Sequence, residues 1–215
     1  LDRYPKDSKV VTDFFTKESY FSVTSSKAKI VTSISMFYDL EEPVQFAKGI
    51  ASVLSVDGVW VFEQSYLPAM LRTNSYDTIC QEHVEYYSLA AIQYILQQAG
   101  LTIIDASQNE VNGRSVRLAA SHKDSELASK VSPEASWLIE QEKNHDIFSN
   151  QPWVDFQKNV DRQKIDLVNL LSELKKAGKT VIGYGASTKG NVILQYCGIG
   201  IDLLPVIGDI TPSKD

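Results

Sequence analysis

Between positions 76 and 88 the chain reads Tyr76-Asp77-Thr78-Ile79-Cys80-Gln81-Glu82-His83-Val84-Glu85-Tyr86-Tyr87-Ser88. A histidine beside a carboxylate, with Tyr76, Tyr86 and Tyr87 no more than seven residues from it, can take a proton, orient the base and stabilise a developing oxyanion. Ser88 suits a helix cap, and Leu89, Ile92, Ile95, Leu96 and Ala99 then recur at helical spacing until Gly100. The polar run is therefore expected in a loop beside a rigid element, where functional groups concentrate. A lone Glu-His pair in a loop is more often a solvated surface feature, and that alternative stays open. Zinc is not expected, because the stretch offers one histidine and no cysteine pair.

A second candidate is Gly183-Tyr184-Gly185-Ala186-Ser187-Thr188-Lys189-Gly190-Asn191. Strand, tight glycine turn and helix start would present backbone N–H groups at a helix N-terminus, with Ser187, Thr188 and Lys189 adding donors and charge. The third glycine of a dinucleotide fingerprint would fall at Thr188, and a Walker loop would need lysine where Asn191 stands. Phosphate binding and close packing of strand on helix are both compatible with it.

Elements that could position these groups alternate along residues 1–122. Lys9–Phe15 reads as a short apolar strand and Lys29–Phe37 as a strand buried on both faces. Glu41, Glu42 and Pro43 suit a helix first turn, with Val44, Phe46, Ala47, Ile50, Ala51 and Leu54 as its apolar stripe. Asp57-Gly58 is read as a turn into the strand Val59–Glu63. Two further strands, from Leu101 and from Ser115, are joined by the hairpin signal Asn112-Gly113. This order predicts an α/β, doubly wound sheet whose last strand is reversed. Residues 123–178 read as a helical connector, with one helix over Pro133–Phe148 and a longer one from about Trp153 to Leu174 that would bridge two lobes. Residues 179–215 read as the start of a Rossmann-like βαβ unit ending on the strand Leu203–Ile207.

Composition removes whole classes. The chain has 215 residues, 43% of them hydrophobic, and a formal charge of −6. No Lys/Arg cluster offers a phosphate track, so a nucleic-acid partner is not expected. No run of apolar residues is long enough for a membrane span, and Leu1-Asp2-Arg3-Tyr4-Pro5 is unlike a signal peptide, so a cytoplasmic chain is expected. Cys80 and Cys197 stand far apart, as reduced thiols would.

The segments Ser35–Pro43, Glu63–Pro68, Tyr76–Ser88, Asn112–Arg117 and Gly183–Asn191 together, in this order, resemble the S-adenosylmethionine-dependent sugar C-methyltransferases. The resemblance implies an N-terminal zinc-binding domain, a middle class I methyltransferase domain and a C-terminal Rossmann-like domain. Against that layout the chain corresponds to the second half of the middle domain and the start of the last, so zinc is expected only in a domain it lacks. The implied reaction removes a proton beside the ketone of a nucleotide-linked 4-keto-deoxysugar and methylates that carbon. By resemblance His83 is the base and Glu82 its neighbour. Ser35, Met36, Phe37 and Tyr38 belong to the cofactor pocket, or else to a strand end packed under a helix. Gly185, Ser187, Lys189, Asn191, Asn112 and Arg114 are expected to meet the substrate. The family commonly carries tyrosine where this chain has Cys80, which leaves Tyr76, Tyr86 or Tyr87 to steady the enolate. Two other readings are a nucleotide-sugar dehydrogenase or epimerase, resting on Gly183 and Gly185, and a non-catalytic sugar-nucleotide-binding module. Because the cofactor's glycine turn and ribose-binding acid are missing from this layout, the 215-residue chain is expected to bind S-adenosylmethionine weakly. Sub-micromolar binding in a calorimetric titration would contradict that expectation.

Overall fold

The computed structural model describes residues 5, 7–111 and 114–210. In chain order the elements are α1 (Lys17–Phe21), β1 (Ala28–Ile34), α2 (Pro43–Val53), β2 (Leu54–Ser65), α3 (Leu67–Thr73), α4 (Leu89–Gln98), β3 (Leu101–Asn109), β4 (Ser115–His122), α5 (Pro133–Asn144), α6 (Gln151–Lys176), β5 (Ile182–Tyr184), α7 (Thr188–Cys197) and β6 (Val206–Gly208). They fall into two compact units, Leu1–Leu67 with Val84–His145, and Pro68–His83 with Asp146–Asp215.

The first unit is built on a four-stranded sheet in the order β1-β2-β4-β3. β1 runs parallel to β2, whereas β4 is antiparallel to both β2 and β3. The mixed α/β sheet with its reversed last strand is therefore present. Trp60, Phe62 and Gln64 of β2 stand opposite Ala120, Leu118 and Val116 of β4, and all six are buried. A strand's side chains alternate between faces, so this register places one whole row in the core. Phe37 is fully buried at its centre, with the rings of Trp60, Phe62 and Tyr87 at 5.4–5.5 Å and Phe46 at 6.0 Å.

Several expectations are corrected. Lys9–Phe15 forms no strand, because it finds no sheet partner; Phe14 is 89% exposed and Phe15 leans on Phe46, ring centroids 5.3 Å apart. The chain enters α1 instead, through a reciprocal capping box of Thr16 and Ser19. β1 stops at Ile34 and is not buried on both faces: Ile30 and Ile34 are exposed, since β1 is an edge strand paired with β2 alone among the described residues. Asp57-Gly58 lies inside β2 at a break in register, where a Cβ on Gly58 would stand 2.8 Å from the Ala28 carbonyl oxygen. That glycine permits close backbone approach rather than a turn. α5 ends at Asn144, short of Phe148, with Asp146 at φ 46° breaking the helical path. The Asn112-Gly113 turn lies outside the described residues.

In the second unit β5 and β6 pair in parallel around α7, which confirms the βαβ unit, although β6 begins only at Val206. Its core gathers Leu171, Cys197 and Ile199, with Leu167, Ile193 and Leu204 packed against them. α6 has 26 residues and at 1.5 Å per residue is about 39 Å long. It belongs wholly to this unit. No described helix is long and apolar enough to cross a membrane.

One long-range contact fixes the start of α4. The Glu142 carboxylate on α5, itself buried, accepts the N–H groups of Leu89 at 2.6 Å and Ala90 at 3.1 Å, while the Ser88 hydroxyl accepts from Ala91 at 3.1 Å. Three N–H donors that have no intrahelical acceptor are thereby satisfied, and a negative charge sits at the positive end of the helix. Glu142→Ala is expected to lower unfolding free energy by about 1.5–3 kcal/mol per lost charged hydrogen bond at most, with Glu142→Gln losing less; urea denaturation checks it, and an unchanged midpoint would contradict it.

Candidate functional site

The carboxyl end of β1 opens into a sharp bend. Ser35 takes φ 54° and its N–H donates to the Glu63 carbonyl of β2 at 2.7 Å, after which Phe37–Asp39 form a single 3-10 turn. The Tyr38 carbonyl accepts two N–H groups, those of Val84 and Glu85, each at 3.0 Å. A little further on, the Tyr87 carbonyl accepts the Leu67 N–H at 2.9 Å. The backbone immediately after His83 is thus held to the strand end before Ser88 caps α4. This clasp is main-chain chemistry, and no side-chain pattern announces it.

Of the four residues assigned to the cofactor pocket, Met36 borders open space, whereas Phe37 and Tyr38 are packed in the core at 0% and 7% exposure. Met36 shares an open cavity of about 540 Å³ with Phe14, Phe15, Leu40 and Phe46 and with the charged Lys17, Glu18, Glu42 and Lys48. Sequence reasoning missed Phe14 and Phe15 by placing them in a strand.

The motif around His83 divides at the boundary between the units, which falls between His83 and Val84. Within the second unit, residues 80–83 fold into a tight turn in which His83 N–H donates to the Cys80 carbonyl at 3.2 Å. Glu82 is exposed and His83 half-buried. The Glu82 carboxyl is held below the usual carboxylate range, first by a backbone N–H of its own residue, then by the Cys80 thiol, with the His83 ring contributing. Burial pushes the Cys80 thiol up, and the neighbouring Glu82 carboxylate adds to it.

The three tyrosines separate. Tyr76 points into the second unit's core, its hydroxyl 3.7 Å from Cys197 Sγ and its ring 5.3 Å from that of Tyr196; burial and the Cys197 contact raise its pKa well above the ordinary value. Tyr87, in the first unit, is buried and its hydroxyl has no hydrogen-bond partner among the described residues. Burial, then the Glu85 charge, also raises its pKa far above normal, so it remains a neutral donor. Tyr86 is half-buried.

In the glycine turn, Gly185 takes φ 97° and donates its N–H to the Gly208 carbonyl at 2.8 Å. Ala186 N–H donates to the Asp209 carboxylate at 2.7 Å and Gly190 N–H to the Ser187 hydroxyl at 3.2 Å. An internal carboxylate therefore stands where an external anion would sit. A Cβ on Gly183 would lie 3.1 Å from the Ile207 side chain, so that glycine serves close packing. Asn191 N–H continues the helix ladder to the Ser187 carbonyl, and Lys189 lies in the first turn of α7. In the first unit Arg114 takes φ 85° and reaches Glu110 at 3.6 Å, while Asn112 is outside the described residues. Among the described residues no group of three or more His, Cys, Asp or Glu could hold a metal ion.

A raised thiol pKa delays thiolate formation as pH rises. Alkylation of Cys80 by iodoacetamide should therefore keep accelerating beyond pH 9.0, the ordinary thiol midpoint; a plateau below that pH would contradict the half-buried setting.

The chain is similar to known C-methyltransferases. The family model of the C-methyltransferase C-terminal domain matches residues 110–215. C-methyltransferase NovU of Streptomyces niveus is 28% identical over 187 residues, covering 87% of this chain and 44% of that protein. The chain thus spans less than half the length of this relative. Among solved structures, LepI in complex with SAM is similar at a TM-score of 0.39 and 12% identity, over 45% of this chain and 27% of that one. A S-adenosylmethionine-dependent methyltransferase from Clostridium acetobutylicum is similar at 0.36 and 12% identity, over 46% and 60%. The C-methyltransferase C-terminal domain model thus covers just under half of the chain, and C-methyltransferase NovU is similar to the chain along most of the chain's own length.

Proposed function

We propose that the protein methylates carbon, using S-adenosylmethionine, at the position beside the ketone of a nucleotide-linked 4-keto-deoxysugar. One observation carries the reading: the segment bearing Glu82 and His83 is pinned, directly after His83, to the Tyr38 carbonyl at the carboxyl end of β1. Carboxyl ends of strands are where open α/β sheets bind their ligands.

The cavity beside Met36 fits the cofactor. At about 540 Å³ it lies within the ~300–1,000 Å³ of ligand pockets, and its aromatic walls suit a purine ring. Met36, Phe14, Phe15 and Phe46 would hold the adenosine end. When bound, the cofactor supplies a sulfonium methyl group, an electrophile for carbon.

The chain's own residues do the rest. His83 takes the proton from the carbon beside the ketone, leaving the electron pair in an enolate whose carbon is the nucleophile. Glu82, kept ionised, stabilises the imidazolium that results. The donor to the enolate oxygen is one of the tyrosines that follow His83, Tyr86 or Tyr87. Tyr76 is not assigned this part, since its hydroxyl faces Cys197. Lys189 supplies positive charge for the substrate's phosphates. The backbone N–H groups beside it are given a folding role, as Asp209 already accepts from one of them.

In the protein expressed from its complete reading frame, His83→Ala should lower kcat by about 10²–10⁴ while leaving cofactor affinity nearly intact. Glu82→Gln should cost less, since the amide keeps a hydrogen bond and loses only the charge. Carbon-13 NMR of the product should place the new methyl on carbon; an O-methyl product, or full turnover by His83→Ala, would overturn the assignment.

A further inference from the structure

The Tyr38 carbonyl holds the backbone that follows His83, whereas the backbone that precedes it is held inside the second unit. None of the residues from Ile79 to His83 is buried, so no side chain of that turn is sunk in a core. The nearest buried side chains upstream are Thr78 and Tyr76, at the two ends of the 3-10 turn Tyr76–Thr78. Thr78 is small, and its hydroxyl donates locally to the Ser75 carbonyl at 2.7 Å. Tyr76 is the large one, its ring centroid 5.3 Å from that of Tyr196 on α7. From Tyr76 a run of short-range backbone hydrogen bonds reaches the base. Ile79 N–H donates to the Tyr76 carbonyl at 3.0 Å, Cys80 N–H to that of Thr78 at 3.1 Å and His83 N–H to that of Cys80 at 3.2 Å.

Tyr196 is itself held from α6. Its hydroxyl donates to Asp161 Oδ1 at 2.6 Å and accepts from Gln157 Nε2 at 3.1 Å, while the Lys164 ammonium stands 5.0 Å over its ring. Positions 157, 161 and 164 share one helix face, so the three grip the ring together. A hydroxyl donating to a carboxylate is among the stronger hydrogen bonds. The Asp161 carboxyl is held below the usual range, first by the Tyr196 hydroxyl and then by the Gln157 amide, and Asp161 in turn raises the Tyr196 hydroxyl. The proton therefore stays on Tyr196 at neutral pH and the grip persists. Tyr76, by contrast, offers its hydroxyl to Cys197 Sγ at 3.7 Å, and sulfur is a weak partner, so the hold on Tyr76 resides in its ring.

We propose that Tyr76 is a positioning residue for His83: its buried ring, seated on Tyr196, fixes the turn that carries the imidazole, and Gln157, Asp161 and Lys164 hold the seat. The proposal rests on the reading of His83 as the base. A base misplaced by about 1 Å can lose on the order of 10² in rate, so a seat some residues away matters to the chemistry.

The test uses the protein expressed from its complete reading frame and two readouts. Alkylation of Cys80 at fixed pH, scored by mass spectrometry on its own peptide, reports the turn without any reaction. Deuterium wash-in from D₂O, with thymidine diphosphate 4-keto-6-deoxyglucose as probe, reports His83. Tyr76→Ala should speed the alkylation several-fold and slow saturated wash-in about tenfold or more, with the half-saturating probe concentration unchanged. Tyr76→Phe, which keeps the ring, should match the unaltered protein in both. Should Tyr76→Ala prove unstable by circular dichroism, Tyr196→Phe conserves volume while releasing the ring from Asp161 and Gln157, and should shift both readouts in the same directions. Unchanged alkylation in Tyr76→Ala and Tyr196→Phe, or a Tyr76→Phe protein as impaired as Tyr76→Ala, would overturn the proposal. If the unaltered protein shows no wash-in, the proposed reaction is refuted, and the alkylation rates still decide whether Tyr76 seats the turn.

Discussion

A single carbonyl oxygen, that of Tyr38, accepts the N–H groups of both Val84 and Glu85, and the geometry of the candidate site follows from it. A backbone hydrogen bond contributes about 0.5–1.5 kcal/mol net, so the pair is modest in energy; its importance lies in where it acts. It joins the carboxyl end of β1 to the residues that directly follow His83. The bend that aims this carbonyl needs Ser35 in the left-handed region, a conformation uncommon outside glycine and stabilised here by the Ser35 N–H bond to Glu63. Phe37 then locks the bend from below. Its ring, fully buried among Trp60, Phe62, Phe46 and Tyr87, cannot leave without opening a large void. The strain of one residue is thus offset by the packing of another two positions away.

The same segment is held again at its far end. Glu142 and Ser88 occupy the N–H groups that begin α4, and Leu67 N–H reaches back to the Tyr87 carbonyl. Between these fixed points lie Tyr86 and Tyr87, the tyrosines best placed in the chain to serve as neutral donors. Function and stability are coupled here in a definite sense. The buried Glu142 carboxylate is tolerable only because the helix start supplies its hydrogen bonds, and the helix start is ordered only because that carboxylate arrives from α5.

Much of this was legible in the sequence, for reasons specific to each element. α4 announced itself through Ser88, a clean apolar periodicity and Gly100, because capping and spacing are local. α6 and the βαβ unit were readable for the same reason. The reversed β4 followed from two apolar runs close in sequence. What escaped were features set by distant residues. Lys9–Phe15 has the composition of a strand but no partner strand among the described residues, and Gly58 has the look of a turn but sits where two strands crowd together. In the site, His83 and Glu82 were found from residue type. The hold of the Tyr38 carbonyl on Val84 and Glu85 could not be, since every residue has a carbonyl, and Glu142 lies 53 positions from the N–H group it caps. The tyrosines were separable only once burial was known. Tyr76 and Tyr87 are alike in sequence, yet one hydroxyl faces a cysteine and the other is buried with no hydrogen-bond partner among the described residues.

The central claim is that His83 removes a proton from carbon before any methyl group moves. It is tested most directly by incubating the ketosugar nucleotide with the protein from its complete reading frame in D₂O, with no methyl donor present, and following the acidic C–H position by NMR. Deuterium should wash into that carbon with the unaltered protein and not with His83→Ala. Undiminished exchange in the His83→Ala protein would contradict the account and move the base to another residue.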